Sequence, residues 1–225
     1  PVPPERWDNA SWYDPRPAIP GKLYTRAAGF VDGIGEFDPG FFSLSESEAR
    51  FLDPQQRMLL EVTWEALEDA VIVPQSLHGS STSVHIGVSN PDYSLRCGSI
   101  PIGPYVSTGN AFSCVSGRIS YTFRLQGPSL SIDTACSASA VCTQLALECL
   151  RGRKSSLALA AGNAMLEPST TIALCQVTAL SPNNRTASFG AEADGYSRGE
   201  GAAMVVLQRD TVARVSLRWG TTMAA

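Results

Sequence analysis

The most constraining feature of this sequence is a stretch in which a short strand passes directly into a helix. Gly127-Pro128 marks a turn, and Ser129–Thr134 has the pattern of a strand. A helical stretch then runs from about Cys136 to Leu150, with no linker before it. A strand that turns at once into a helix is typical of layered α/β proteins. The sequence therefore predicts an α/β domain in which Cys136 lies at the start of a helix.

The neighbouring segments predict the same class of fold. Asp53 can cap a helix and Pro54 fits its first position. Gln56 can reach back as in a capping box, and the helix is expected to run to about Val71. We expect a further helix at Ala111–Phe123 and buried strands at Val84–Ser89, Leu157–Ala161 and Ala203–Gln208. Strands that alternate with helices indicate an α/β layered domain.

Charge and cysteine usage argue against several functional classes. The net charge is -4 and no basic stripe is present, which argues against a nucleic-acid partner. No apolar run approaches the roughly 20 residues that cross a bilayer, and the N-terminus lacks the pattern of a signal peptide. The six cysteines form no C-x-x-C pair and no cluster with zinc spacing. We therefore expect free thiols, no metal site, no membrane association and a reducing, cytoplasmic location.

Cys136 is the candidate nucleophile. Small residues surround it (Ala135 and Ser137–Ala140), which leaves room for a substrate to approach the sulfur. A helix N-terminus favours a thiolate by about 0.3–1 kcal/mol. Its first N–H groups lack partners within the helix, so one of them can form half of an oxyanion hole. The spacing alone leaves a second interpretation open, a buried structural cysteine, because free cysteines are among the most buried residues.

The stretch Gly127–Ala140 resembles the active-site motif of β-ketoacyl synthases. Further blocks resemble multifunctional polyketide synthases in the same order: Gly29-Phe30 to Phe41-Phe42, Asp53–Arg57, Trp64–Ala70, Thr108–Asn110, Gly117–Tyr121 and Ala193–Gly201. The resemblance implies a partial thiolase-like layered fold (α/β/α), mainly the N-terminal half. It also implies that residues 1–225 form a single partial domain without the first strand and the C-terminal half.

The resemblance implies that Cys136 accepts an acyl chain from an acyl carrier protein. That partner carries the chain as a thioester on phosphopantetheine, and the protein itself is expected to bind no cofactor. In the family, two histidines and a lysine further along drive decarboxylation of a malonyl-type extender, which yields a β-ketoacyl thioester. Here no histidine follows Cys136, and Lys154 follows too closely to be that lysine. The expected activity is therefore self-acylation at best.

The family pattern also carries expectations for three other parts of the chain. Ser129–Thr134 is expected to pair with its copy in a homodimer. Glu200 is expected to join a polar network near the catalytic centre. Phe189-Gly190 stands where the family often has Phe-Asp, and Thr211–Ala225 fits the family pattern poorly.

Two alternatives from other functional classes remain open. The chain can be a non-catalytic module that dimerises or binds a carrier protein, because an unpaired strand edge is adhesive. It can also be a thiol hydrolase, which requires a histidine within reach of the sulfur. The available histidines, His78 and His85, are interpreted as solvated or structural.

Overall fold

The chain, described by a computed structural model for residues 1–97, 103–209 and 216–218, forms two compact units. One unit comprises Gly33–Ala164 and the described residues from Gly201 onward, and it contains the sheet. The other comprises Pro1–Asp32 and Met165–Glu200. The interpretation of residues 1–225 as one partial domain stays a prediction.

The described residues contain helices separated by short strands. The helices are α1 (Asn9–Trp12), α2 (Glu46–Ala49), α3 (Pro54–Asp69), α4 (Asp92–Cys97), α5 (Val106–Asn110), α6 (Phe112–Thr122), α7 (Ala138–Arg151) and α8 (Pro168–Gln176). Short 3-10 turns lie at Pro74–Leu77 and Ala135–Ser137. The strands are β1 (Ser83–Gly87), β2 (Ser129–Ile132), β3 (Leu157–Ala164), β4 (Gly201–Gln208) and β5 (Ser216–Arg218). All predicted strands and all three predicted helices are therefore present, although β2 ends before Thr134.

The strands form one sheet in the order β2-β1-β3-β4-β5. β1 pairs in parallel with β2 and β3, whereas β4 and β5 join in antiparallel fashion. Gly87, at the end of β1, lies opposite both Ile132 of β2 and Gly162 of β3. The carboxyl ends of the three parallel strands therefore meet at one edge. Of the segment Thr211–Ala225, only β5 lies within the described residues.

One face of the sheet is covered by α3 and α6. Val84 and Ile86 of β1 point to this face and are fully buried. The core around them includes Leu59, Leu60 and Leu67 of α3, Val115 and Ile119 of α6, Leu157, Leu159 and Ala161 of β3, and Met204 and Val206 of β4. Because side chains alternate along a strand, the other face must be covered separately.

The start of α3 differs from the prediction in one respect. Asp53 caps the helix as expected, since its Oδ1 accepts from the Gln55 N–H at 2.8 Å. The predicted capping box of Gln56 is wrong. Its Nε2 instead donates to the Gly109 carbonyl at 2.9 Å, and its Oε1 accepts from Arg118 Nε at 2.8 Å. A buried amide thus ties α3 to α5 and α6 instead of closing its own helix.

The opposite face of the sheet is covered by α7. Ala146 and Leu150 of this helix pack with Ala158 and Ala160 of β3. Outward-facing positions of α7 such as Gln144 and Glu148 are exposed, so the helix is buried on its sheet side only. Helices on both faces of a sheet give the α/β/α layering that the family resemblance implies.

The unit without the sheet has a small core of its own. Leu23, Tyr24, Cys175 and Leu180 form it, and α8 contributes Cys175. The Asn184 side chain accepts hydrogen bonds from the Arg26 and Ala27 N–H groups at 2.9 and 3.0 Å. These contacts join residues more than 150 positions apart, which holds the two sequence segments of this unit together.

Candidate functional site

The candidate site lies where β2 gives way to α7. After Ile132 the chain bends, and the Asp133 carboxylate accepts from the Ala135 N–H at 2.9 Å. Ala135 has a φ of 51°, which lies in the left-handed region that a residue with a Cβ rarely adopts. Ser137 closes the bend by donating its hydroxyl to the Thr134 carbonyl at 2.8 Å. The backbone is thus sharply turned at the residue that precedes Cys136.

Cys136 lies in the 3-10 turn Ala135–Ser137, two residues before α7 begins. The predicted position at the start of a helix is therefore correct to within one turn. Its side chain is exposed. Within the described residues, the Cys136 N–H has no hydrogen-bond acceptor, whereas the Ser137 and Ala138 N–H groups donate to the Thr134 and Ala135 carbonyls. An unpaired donor therefore adjoins an accessible sulfur.

The buried interpretation of Cys136 is wrong, but it fits other cysteines well. Cys142 is fully buried on the sheet side of α7, and burial raises the pKa of its thiol to about 11. Cys97 is also buried, and burial raises its pKa. All six cysteines are free thiols.

The first turn of α7 is seated on two glycines. Gly87 of β1 faces Ala138, and Gly162 of β3 faces Ser139. The two glycines are register partners on neighbouring strands, so they form one flat patch beneath the helix start. This patch was not foreseen from the sequence, because β1 and β3 lie far apart along the chain.

Within the described residues, neither histidine forms a hydrogen bond with Cys136. His85 is fully buried in β1, and burial lowers its pKa. Neither of its ring nitrogens has a hydrogen-bond partner in the described part of the chain. His78 is exposed and lines a surface groove of about 610 Å³ whose lining residues do not include Cys136. Lys154 is exposed just beyond the end of α7.

Glu200 does join a polar network. Its carboxylate accepts from Arg6 Nη1 at 2.7 Å and from Arg6 Nη2, and the Glu200 and Arg6 side chains are 0% and 7% exposed. The Val31 and Leu166 N–H groups also donate to it, at 3.1 and 2.8 Å. Four donors satisfy the buried carboxylate, so its role within its own unit is structural. Its nearness to Cys136 stays a prediction.

Two further observations concern the described residues as a whole. No helix among them is long and apolar enough to cross a membrane. No group of three or more His, Cys, Asp or Glu side chains within residues 1–97, 103–209 and 216–218 is arranged to hold a metal ion.

A family model matches almost the whole chain. Residues 1–213 match "Beta-ketoacyl synthase, N-terminal domain". The chain is 48% identical over 213 residues to a phenolphthiocerol/phthiocerol polyketide synthase of Mycobacterium tuberculosis, covering 93% of this chain and 14% of that protein. It is 44% identical over 211 residues to phthioceranic/hydroxyphthioceranic acid synthase of Mycobacterium bovis, covering 92% of this chain and 10% of that protein.

Solved structures of similar sequence share the fold. The oxazolomycin ketosynthase domain of Streptomyces albus JA3453 superposes with a TM-score of 0.87 at 35% identity, covering 95% of this chain and 39% of that one. The ketosynthase from module 6 of the bacillaene synthase of Bacillus subtilis 168 gives a TM-score of 0.80 at 34% identity, covering 92% and 34%. The expected partial, N-terminal thiolase-like fold is thereby confirmed. The chain spans well under half of each relative.

Proposed function

The chain belongs to the β-ketoacyl synthase family, as the N-terminal domain of a polyketide-synthase ketosynthase, and on that premise we propose that Cys136 accepts an acyl group from a thioester. The observation that carries this proposal is the exposed sulfur at the end of β2, in a bend with an unpaired N–H beside it. In open α/β sheets, ligands bind beyond the carboxyl ends of parallel strands, which is where this bend lies.

The proposed step is a thioester exchange. The Cys136 sulfur attacks the acyl carbonyl, and the carbon–sulfur bond to the donor breaks as the bond to Cys136 forms. The proton of the Cys136 thiol leaves with the departing thiolate of the donor. The oxyanion formed in between requires hydrogen-bond donors, and the Cys136 N–H is available as one of them.

We infer that the physiological donor is an acyl carrier protein with its acyl chain on phosphopantetheine, as the family implies. The free thiols support a reducing compartment, and we place the reaction in the cytoplasm on that ground. Decarboxylative condensation is assigned to the whole ketosynthase. The only histidines of this chain are His85, which is buried, and His78, whose groove Cys136 does not line.

The decisive experiment is acylation with a short-chain acyl thioester of N-acetylcysteamine, followed by peptide mass spectrometry. We expect label on Cys136 and none at this position in the Cys136→Ala variant. Cys149, which is partly exposed on α7, is the internal comparison and is expected to acylate more slowly. A folded chain that takes label on Cys149 but not on Cys136 contradicts the proposal.

A second function is favoured by a separate observation, the free edge of β2. Among the strands that the structure describes, β2 is the one at this edge of the sheet, and Leu130 on it is 44% exposed. We propose that two copies pair through this edge, because an unpaired strand presents a row of backbone donors and acceptors. Sedimentation should give a dimer that Leu130→Lys weakens. A monomer at concentrations of tens of micromolar contradicts pairing without touching the acylation proposal.

The thiol-hydrolase alternative gains no support. It needs a base that can activate water beside the sulfur, yet His85 is enclosed in the sheet and His78 lines a groove without Cys136. Unchanged thioester hydrolysis in His78→Ala and His85→Gln would remove it altogether.

A further inference from the structure

Gly87 and Gly162 are glycines without a conformational need to be glycine. Neither has a positive φ, and both lie in regular strands, whose backbone conformation alanine also adopts. Glycine weakens a strand interior because it has no side chain to pack and loses more entropy on folding. Such a residue in a strand often marks a place where another backbone approaches closely.

The close approach is made by the first turn of α7. A Cβ added at Gly87 would lie 2.8 Å from the Ala138 carbonyl carbon and 2.8 Å from the Ser139 nitrogen. A Cβ added at Gly162 would lie 2.7 Å from the Ser139 Cβ. Distances under 3.0 Å require a shift of the atoms involved. The helix start therefore occupies the space that two ordinary residues would fill.

The shift would reach Cys136 because the connection is short and hydrogen-bonded. The Ala138 N–H donates to the Ala135 carbonyl, which encloses Cys136 in a single turn. The Ser137 N–H and hydroxyl both bond to the Thr134 carbonyl, at 3.3 and 2.8 Å. The first bond joins the turn to α7, and the other two hold Thr134–Ser137 as one rigid bend, so a displaced helix start moves the turn that carries the sulfur.

We propose that Gly87 and Gly162 are positioning residues for the nucleophile. Their missing Cβ atoms set how closely the first turn of α7 approaches the sheet, and thereby where the Cys136 sulfur lies at the strand ends. This inference rests on the acyl-accepting role proposed for Cys136 and adds two residues, on other strands, that determine its geometry.

The two glycines make different contacts, which allows a matched test. Gly162 faces a side chain, so Gly162→Ala should slow Cys136 acylation by about 10- to 100-fold, the scale of a displacement near 1 Å. Adding Ser139→Gly removes the opposing Cβ and should restore most of the rate. Adding Ser139→Ala keeps that Cβ and should restore none.

Gly87→Ala is the complementary variant. Its added Cβ meets the backbone of Ala138 and Ser139, which no side-chain change can remove. Ser139→Gly is therefore expected to leave the slow acylation of Gly87→Ala unchanged. We therefore expect Ser139→Gly to restore acylation in Gly162→Ala but not in Gly87→Ala, and Ser139→Ala to restore it in neither. A general loss of stability does not produce this pattern.

A second readout separates this inference from the function it rests on. The rate of Cys136 alkylation by iodoacetamide, divided by that of Cys149, reports the surroundings of the sulfur without any enzymatic step. If the parent chain takes no acyl group, the proposed function fails, and a changed ratio in Gly162→Ala that Ser139→Gly reverses still supports the positioning role.

Three outcomes overturn the positioning role. The first is a Gly162→Ala variant whose acylation rate and alkylation ratio both stay within about twofold of the parent values. The second is equal rescue of Gly162→Ala by Ser139→Gly and Ser139→Ala. The third applies if Gly162→Ala does not fold, in which case the double variant Gly162→Ala with Ser139→Gly is tested instead. A double variant that folds and is acylated supports the positioning role, and one that stays unfolded overturns it.

Discussion

At the scale of single residues, the reactivity of the cysteines follows their burial. Cys136 and Cys142 lie six residues apart, yet one is exposed and the other has no accessible surface. A thiolate is the reactive form, and burial in apolar surroundings opposes it. Sequence alone left the two interpretations of Cys136 open because exposure depends on what packs against α7.

We expect iodoacetamide at pH 8 to alkylate Cys136 at least about 100 times faster than Cys142. The pKa of the Cys142 thiol, raised to about 11 by burial, leaves only ~0.1% of it ionised at that pH. Peptide mass spectrometry at timed intervals measures both rates. Denaturing the chain first serves as the control and should bring the two rates together. Comparable rates in the folded chain contradict the burial of Cys142.

Asp53 should make stability depend on pH in an unusual direction. Burial raises the pKa of this carboxyl from 3.8 to about 6, although the Gln55 backbone and side-chain N–H groups oppose the shift. The folded state therefore binds the proton more tightly than the unfolded state. The stabilisation is complete below pH 4 and is lost as the pH rises through 6, by about 3 kcal/mol at ~1.4 kcal/mol per unit.

The test compares the parent chain with Asp53→Asn by urea unfolding from pH 4 to pH 7.5. The other titrating groups are common to both proteins, so the difference in unfolding free energy isolates Asp53. We expect the parent to lose stability relative to the variant across this range. A difference that is flat, or that moves the other way, contradicts the raised pKa.

At the scale of elements, local signals were sufficient where the pattern was regular. The period of α3, its Asp53 cap and the apolar runs of β3 and β4 predicted these elements with errors of a few residues at their ends. α8 went unforeseen, because its β-branched run Thr170–Ile172 favours strands as much as helices. The capping box predicted for Gln56 does not form because the Gly109 carbonyl, more than 50 positions away, accepts from its amide instead.

The ion pair between Arg6 and Glu200 joins two segments that lie far apart in the sequence. Glu200→Gln leaves the Arg6 cation nearly buried without its counter-charge, which should cost about 3 kcal/mol of unfolding free energy. Glu192→Gln is the matched control, because its pair with Arg185 is mostly exposed and should cost less than about 1 kcal/mol. Chemical denaturation at pH 7 measures both. Equal costs would contradict a structural role for the buried pair.

At the scale of the whole molecule, both compact units combine segments that are far apart in sequence. Local sequence patterns predict strands and helices along the chain, but they do not predict the pairing of β1 with β3 or the glycine patch that results from it. The motif of the candidate nucleophile is local, so the sequence alone is enough to predict it. Gly87 and Gly162, which lie beneath the helix start, cannot be predicted in this way, because a glycine in a strand has no side chain whose chemistry would indicate a role.

The chain as a whole should separate loading from condensation. Given an acyl thioester and a malonyl thioester together, we expect acylated Cys136 and no β-ketoacyl product. The reason is that His85 is enclosed and favours its neutral form, since burial lowers its pKa, and that His78 lines a groove whose lining does not include Cys136. Mass spectrometry of the products checks this, with a full-length ketosynthase as the positive control. Detection of the β-ketoacyl thioester would contradict it.

The left-handed backbone at Ala135 has a consequence for which amino acids the position tolerates. Replacement by glycine relieves the steric cost of a Cβ at positive φ, and asparagine is accepted there more readily than most residues. Valine and isoleucine, branched at Cβ, are the least compatible. Among folded variants with every amino acid tried at position 135, glycine and asparagine should therefore be enriched and valine and isoleucine depleted. This selection is expected although the Ala135 side chain is exposed to solvent.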